Sequence, residues 1–188
     1  MSIRSLPSSR RRRGRRGFTL TELMVVVALV GILAVIGIAS FRREVQASKS
    51  SEAVAVVQAI RAAQESYRAE HHVYLNVSSD ADGWYPTQEF GETRYAWRVG
   101  PDAHPDAAAW AALAVPVTQA VQFRYLVNAG APGTPMTDPV IADPPTWPTP
   151  NDPWYVIQAR ADTDEDDVYC DALASSLNGE VFIRNEGE

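Results

Sequence analysis

Residues Arg10 to Phe41 read RRRRGRRGFTLTELMVVVALVGILAVIGIASF, and the rest of the chain is interpreted from this stretch. It opens with a dense basic cluster and closes with a long apolar run. From Leu23 to Ala39 there are 17 residues without a charge, nearly all of them apolar. A helix crossing a hydrocarbon core of roughly 30 Å needs about 20 such residues, so the run sits at the short end of a membrane span. Residues 1–17 ahead of it hold seven arginines and no acidic residue. An excess of Arg and Lys marks the cytoplasmic side of a span, which predicts that the basic end stays inside. Between cluster and span lie a glycine (Gly17), an aromatic residue (Phe18) and one carboxylate (Glu22).

Three readings compete for these residues. A secretory signal peptide carries an apolar region of about 7–15 residues followed by a small-residue cleavage site. Here the run is too long, and no A-x-A site follows before Phe41. A plain signal anchor accounts for everything except Glu22, and an ionisable group at the edge of a membrane helix is a functional hypothesis by default. The third reading places a cut between Gly17 and Phe18. The new α-ammonium, with an ordinary pKa of about 7.7–8.0, would then lie four residues from Glu22. Opposite charges attract strongly where the dielectric is low. Such a pairing can close within one helix at i and i+4, or between neighbouring subunits, where it would set axial register in a stacked assembly.

The order glycine, aromatic, acidic residue, apolar run in Gly17-Phe18-Thr19-Leu20-Thr21-Glu22-Leu23-Met24-Val25-Val26-Val27 resembles the prepilin-type cleavage and methylation motif of type IV pilins and pseudopilins. The resemblance implies that Gly17 ends the leader and that Phe18 becomes the N-methylated first residue. It also implies that Glu22 guides methylation and pairs with a neighbouring subunit's amine. One departure is that many pilins carry a kinking proline where this chain has Ala39. Gly31 and Gly37 remain as weak points, because glycine in a helix interior costs about 1 kcal/mol relative to alanine.

The 188 residues amount to one globular domain plus a membrane segment. The boundaries predicted are a basic leader 1–17, a transmembrane or filament-core helix 18–41, an amphipathic helix half 42–75 and a globular head 76–188. The formal charge of −6 hides a split, since residues 18–188 keep 10 basic residues against 23 acidic ones, a net of −13. So acidic a chain is unsuited to non-specific nucleic-acid binding, which runs on Lys and Arg contacts to phosphates. The basic cluster directly ahead of a span reads as a retention signal. Cys170 is the lone cysteine, so the C-terminal loop disulfide of many pilins cannot form and the residue reads as a small buried hydrophobe.

No Pro or Gly falls between Ile38 and Asp82, and Ala53, Val56, Val57, Ile60, Ala63 and Tyr67 form one apolar stripe at helical spacing. A helix from Phe18 to His72 would hold 55 residues and span roughly 80 Å. Arg61 and Glu65 are i, i+4 partners on it, and His71 and His72 close it, where imidazolium favours the negative pole. Residues 76–92 read as loop. Strands are expected at Arg94–Val99, Val121–Asn128, Trp154–Ala161, Val168–Ser175 and Glu180–Arg184, with a short helix at Ala107–Ala114. Asn178-Gly179 signals a two-residue type I′ hairpin turn. Eight prolines between Pro132 and Pro153 rule out regular structure there and predict an extended loop laid over the sheet. The architecture expected is α+β and type IV pilin-like, a long N-terminal helix packed on a small antiparallel sheet.

Asp162, Asp164, Asp166 and Asp167, with Asp171 nearby, form the one constellation suited to a cation. Their D-x-D-x-D spacing imitates a calcium loop, but the sixth position is Asp167 rather than glycine and the twelfth is Leu173 rather than glutamate. Some pseudopilins bind calcium near the C-terminus, so the resemblance makes calcium a possible clamp here and no other cofactor is expected. No catalytic motif is present, and His104 lies between prolines without a Ser or Cys partner, so the chain does not read as an enzyme.

The resemblance implies a structural subunit of a type IV pilus serving motility, adhesion or DNA uptake, with a type II secretion pseudopilin as the alternative within the family. From a different class comes a membrane-tethered periplasmic binding module that never polymerises. The implied partners are a prepilin peptidase/methyltransferase, other pilin subunits, the pilus or type II secretion assembly machinery, and the inner membrane. The implied location is the inner membrane as a single-pass protein, then a cell-surface pilus or a periplasmic pseudopilus.

Overall fold

The computed structural model describes residues 18–98, 100, 102–141 and 145–185; the leader 1–17, Gly17 included, lies outside them. The chain divides into two compact units, Met1–Phe41 and Arg42–Glu188. Helix α1 (Leu20–His71) starts in the first and ends in the second. It continues through Gly31, Gly37 and Ala39, as the absence of proline allows. In the first unit every large apolar side chain from Leu20 to Ile38 is exposed. Among the described residues this is the one helix long and apolar enough to cross a membrane.

In the second unit the predicted stripe forms. Ala53, Val56, Val57, Ile60 and Ala63 are buried in the main core, and Tyr67 packs against it. Gln64 is buried beside them, its amide bracketing the backbone of Leu75: Nε2 donates to Leu75 O (2.8 Å) and Oε1 accepts from Leu75 N–H (2.9 Å). The helix stops because His72 turns left-handed at φ 62°, its N–H still reaching Arg68 O at 2.8 Å. His71 stacks on Tyr67 with ring centroids 4.0 Å apart, so both histidines are absorbed by the helix end.

Four antiparallel strands make the main sheet in the order β3-β4-β5-β6, with β1 (Tyr95–Ala96) and β2 (Ala120–Val121) paired separately and α2 at Ala107–Leu113. Here β3 is Arg124–Gly130, β4 Trp154–Ala161, β5 Cys170–Ser175 and β6 Val181–Arg184. One face carries Tyr125, Val127, Tyr155, Ile157, Ala159, Cys170, Ala172 and Ala174 into the core shared with α1. The opposite face is covered as well. Trp154, Val156 and Leu173 build a second cluster with Met136, and Ile141 and Trp147 pack on it, which puts the proline-rich segment over the sheet as expected. A Cβ on Gly130 would stand 2.3 Å from the indole of Trp154, its cross-strand partner, so only glycine fits there.

Four local expectations need correction. The single strand Val121–Asn128 is two, because Gln122 N–H donates to Glu52 Oε1 (2.8 Å) and Gln122 O accepts from the Arg124 guanidinium, which takes both groups out of the ladder. The strand at Arg94–Val99 shrinks to Tyr95–Ala96. At the C-terminus, β5 and β6 are joined by residues 176–180, and neither Asn178 nor Gly179 has the positive φ that a type I′ turn requires. Their carbonyls instead accept from Arg61 at 2.7 Å each. Arg61 is thereby diverted from Glu65, whose Oε1 accepts from the Tyr74 hydroxyl at 2.9 Å.

Candidate functional site

Thr19 and Glu22 organise the start of α1. The Thr19 N–H and hydroxyl both donate to Glu22 Oε2, at 2.9 and 2.7 Å, and Glu22 N–H donates back to Thr19 Oγ1 at 3.2 Å. Leu23 N–H then reaches Thr19 O at 3.2 Å, the first helical bond. This is a capping box, which satisfies backbone donors that a helix start leaves without partners. Its signature, Thr-x-x-Glu ahead of an apolar run, stands in the sequence at Thr19–Glu22, and reading Glu22 only as the partner of an amine overlooked it. Glu22 is exposed, and among the described residues both of the hydrogen bonds its carboxylate accepts fall on Oε2. One carboxylate oxygen, Oε2, therefore caps the helix that the residue starts. Phe18, one residue ahead of the cap, is 86% exposed.

The acidic turn between β4 and β5 brings three of its four predicted members together. Oxygens of Asp162, Asp164 and Asp166 lie within 4.8 Å of one another; Asp167 is outside the group. Asp162 is buried and acts as the turn's organiser, accepting from Glu165 N–H (2.7 Å) and Asp167 N–H (3.2 Å). Glu165 and Asp167 both adopt left-handed backbone, at φ 61° and 66°. The sixth position thus takes the conformation a glycine would favour, although the residue is Asp. Desolvation, and then the neighbouring charges of Asp166 and Asp162, raise the Asp164 carboxyl above its ordinary pKa. Surface carboxylates crowd in this way with or without an ion, and the turn carries no calcium assignment. Asp171 is not a member of the turn: it pairs with Arg160 at 2.6 Å inside the sheet.

His104 is buried, with Nε2 3.0 Å from Trp84 O and Nδ1 accepting from Asp106 N–H at 3.1 Å, so both ring nitrogens serve the loop. Cys170 is buried in the main core as a small apolar side chain.

Comparison with known proteins bears directly on the first of these sites. The family model for the prokaryotic N-terminal methylation motif matches residues 12–38. The type IV major pilin protein PilA of Myxococcus xanthus (strain DK1622) is 42% identical over 84 residues, covering 45% of this chain and 36% of that protein. A fimbrial protein of Pseudomonas aeruginosa is 36% identical over 73 residues, 39% of this chain and 47% of the relative. The type IV major pilin protein PilE of Neisseria gonorrhoeae is 33% identical over 67 residues, 36% of this chain and 40% of the relative. The chain thus spans less than half the length of these curated relatives. No solved structure shows a significant match. Over the part they cover, the matches bear out the resemblance to the type IV pilin family, whose names here are those of pilus and fimbrial subunits and not of enzymes.

Proposed function

We propose that this chain is a structural subunit of a type IV pilus filament. In this reading a prepilin peptidase cuts between Gly17 and Phe18 on the cytoplasmic side of the inner membrane, and Phe18 is N-methylated. Subunits then leave the bilayer and stack through their apolar helices. The observation that carries the reading is a capped helix start, Thr19 to Glu22, immediately ahead of a span whose large apolar side chains from Leu20 to Ile38 are all exposed in the single chain. Bilayer and filament core are the two surroundings that cover such a surface, and a subunit that moves from one to the other exchanges lipid for neighbouring helices. The Phe18 ammonium would meet Glu22 Oε1 of a neighbouring subunit, one pairing per added subunit. Contacts of that kind are heterologous and do not close, which is the symmetry of a filament.

Mass spectrometry of the N-terminal peptide, from sheared surface filaments and from membranes in parallel, tests this. Methylated Phe18 in the sheared fraction is the expected result. Methylated Phe18 confined to membranes would replace the pilus with a periplasmic pseudopilus of type II secretion. An uncut N-terminus in both fractions would overturn the reading and leave a membrane-tethered module.

A further inference from the structure

The main sheet has two edges, and the chain treats them differently. Along β3, Val77 and Ser78 N–H donate to Val127 O (3.2 and 2.9 Å), while Tyr85 and Tyr125 exchange backbone hydrogen bonds of 3.0 and 2.8 Å. That edge is covered. At the other side β6 pairs with β5 and, among the described residues, with no further strand. An open edge offers a row of backbone donors and acceptors to any strand that fits.

The sequence along it is Glu180-Val181-Phe182-Ile183-Arg184. In an antiparallel pairing centred on Phe182 this segment is complementary to itself. Glu180 falls opposite Arg184 of the second copy, Val181 opposite Ile183, and Phe182 opposite Phe182. Opposite charges and apolar pairs placed directly across strands stabilise the pairing, and like charges oppose it. Strand alternation puts Glu180, Phe182 and Arg184 on one face. On that face a groove of about 420 Å³ is lined by Ile141, Pro145, Trp147, Leu173 and Phe182, with Phe182 59% exposed. Within its own sheet Arg184 already lies across from Asp171, so the second copy's Glu180 would give it a carboxylate on its other side.

We propose that β6 is a self-recognition edge through which two copies of this chain pair antiparallel, joining two four-stranded sheets into one. The charge order of Glu180 and Arg184 selects this occupant over an unrelated extended peptide. The contact is isologous and closed, so it joins copies that are not successive subunits of one filament. That placement rests on the filament reading, whereas the pairing itself does not.

The test uses the full chain in detergent micelles with Cys170→Ser, so that one introduced cysteine reports. Diamide, which takes up the two thiol hydrogens, links Phe182→Cys to Phe182→Cys where the two-fold brings them together. Val73→Cys, exposed and away from the edge, is the control. Phe182→Cys is expected to give several-fold more disulfide dimer than Val73→Cys. Adding Glu180→Arg should lower that yield roughly tenfold, by turning two attractive pairs into two repulsive ones, and Glu180→Arg with Arg184→Glu should restore it. Tryptophan emission checks that each variant is folded; should the double reversal unfold, the position contrast and the Glu180→Arg loss decide alone. Equal dimer from both cysteine positions, or a yield indifferent to Glu180→Arg, overturns the proposal. Because uncut, unassembled chain suffices, neither result depends on cleavage before Phe18.

Discussion

Replacing Asp171 with Asn should unseat the polar centre of the sheet's outer face. Arg160 Nε donates to Asp171 Oδ1 at 2.6 Å, and the two side chains are only 15% and 7% exposed. Removing one partner of a buried ion pair typically costs about 3–5 kcal/mol, because the other charge is left desolvated. Arg160 keeps some compensation here: it also donates to Val140 O and lies over the rings of Trp84 (5.3 Å) and Tyr169 (4.9 Å). Burial raises the Asp171 carboxyl above its ordinary pKa despite Arg160 and Arg184, so its removal returns part of a desolvation cost. The expected loss is therefore at the lower end, about 3 kcal/mol, or about 6–12 °C in melting temperature for a domain of this size. All five tryptophans lie between Trp84 and Trp154, so their emission during thermal or urea melts of detergent-solubilised chain reports this unit. A companion variant, Arg160→Met with Asp171→Leu, should stay within about 1 kcal/mol of wild type, since an apolar pair of similar volume replaces both charges. If Asp171→Asn costs less than about 1 kcal/mol, or if the double variant is as unstable as the summed singles, the pair is not a coupled buried unit.

Gly130→Ala should cost about 1–3 kcal/mol by driving a methyl group into the Trp154 ring, read as a lowered urea midpoint. Asp164→Asn should raise stability at neutral pH and flatten its rise on acidification, because the raised carboxyl pKa means that its charged form is the disfavoured one in the fold; calcium titrated into both chains would expose any cation that the turn holds. Glu22→Ala should abolish filaments while membrane insertion and cleavage continue, and normal filaments built from that variant would remove the amine pairing. Thr19→Val should cost only the cap, about 1 kcal/mol of helix-start stability, and reduce filament yield without eliminating it.

Much of the architecture was legible because it rests on local signals. The apolar span, the stripe from Ala53 to Tyr67 and strand Trp154–Ala161 follow from periodicity alone. The misread places share another cause: contacts reaching far along the chain. Glu52 ends a strand 70 residues away by taking Gln122 N–H. Arg61 holds the loop at Asn178 and Gly179, where a tight turn was expected. Arg124, inside the expected strand Val121–Asn128, is fully buried, with carbonyls of Glu89, Gln122 and Thr93 around its guanidinium. Alternation reads as one dry and one wet face only when nothing covers the second, and here the segment carrying Glu89 and Thr93 covers Arg124. At the candidate site the converse happened. The capping box was visible at Thr19–Glu22, but a functional role for Glu22 obscured its structural one.

A single cysteine leaves the C-terminal part of this sheet without a covalent clasp, and three arginines take over that task. Arg61 ties the β5–β6 loop to α1, Arg160 joins β4 to β5, and Arg124 gathers the loop segments beside β3. Each donates several hydrogen bonds from a planar group, which lysine cannot do. Of the 10 basic residues after Gly17, Arg124 is fully buried, Arg160 is nearly so and Arg61 is taken up by carbonyls, against 23 acidic residues in the same stretch. Three acidic residues, Asp106, Asp162 and Asp171, are buried as well, so the surface keeps the net acidity that composition implies, and heads packed side by side in a filament would repel at low ionic strength. Screening over about 8–10 Å at physiological salt relieves that repulsion. Packing of heads around an apolar core should accordingly strengthen with salt, while the Phe18–Glu22 pairing, shielded among helices, should respond little.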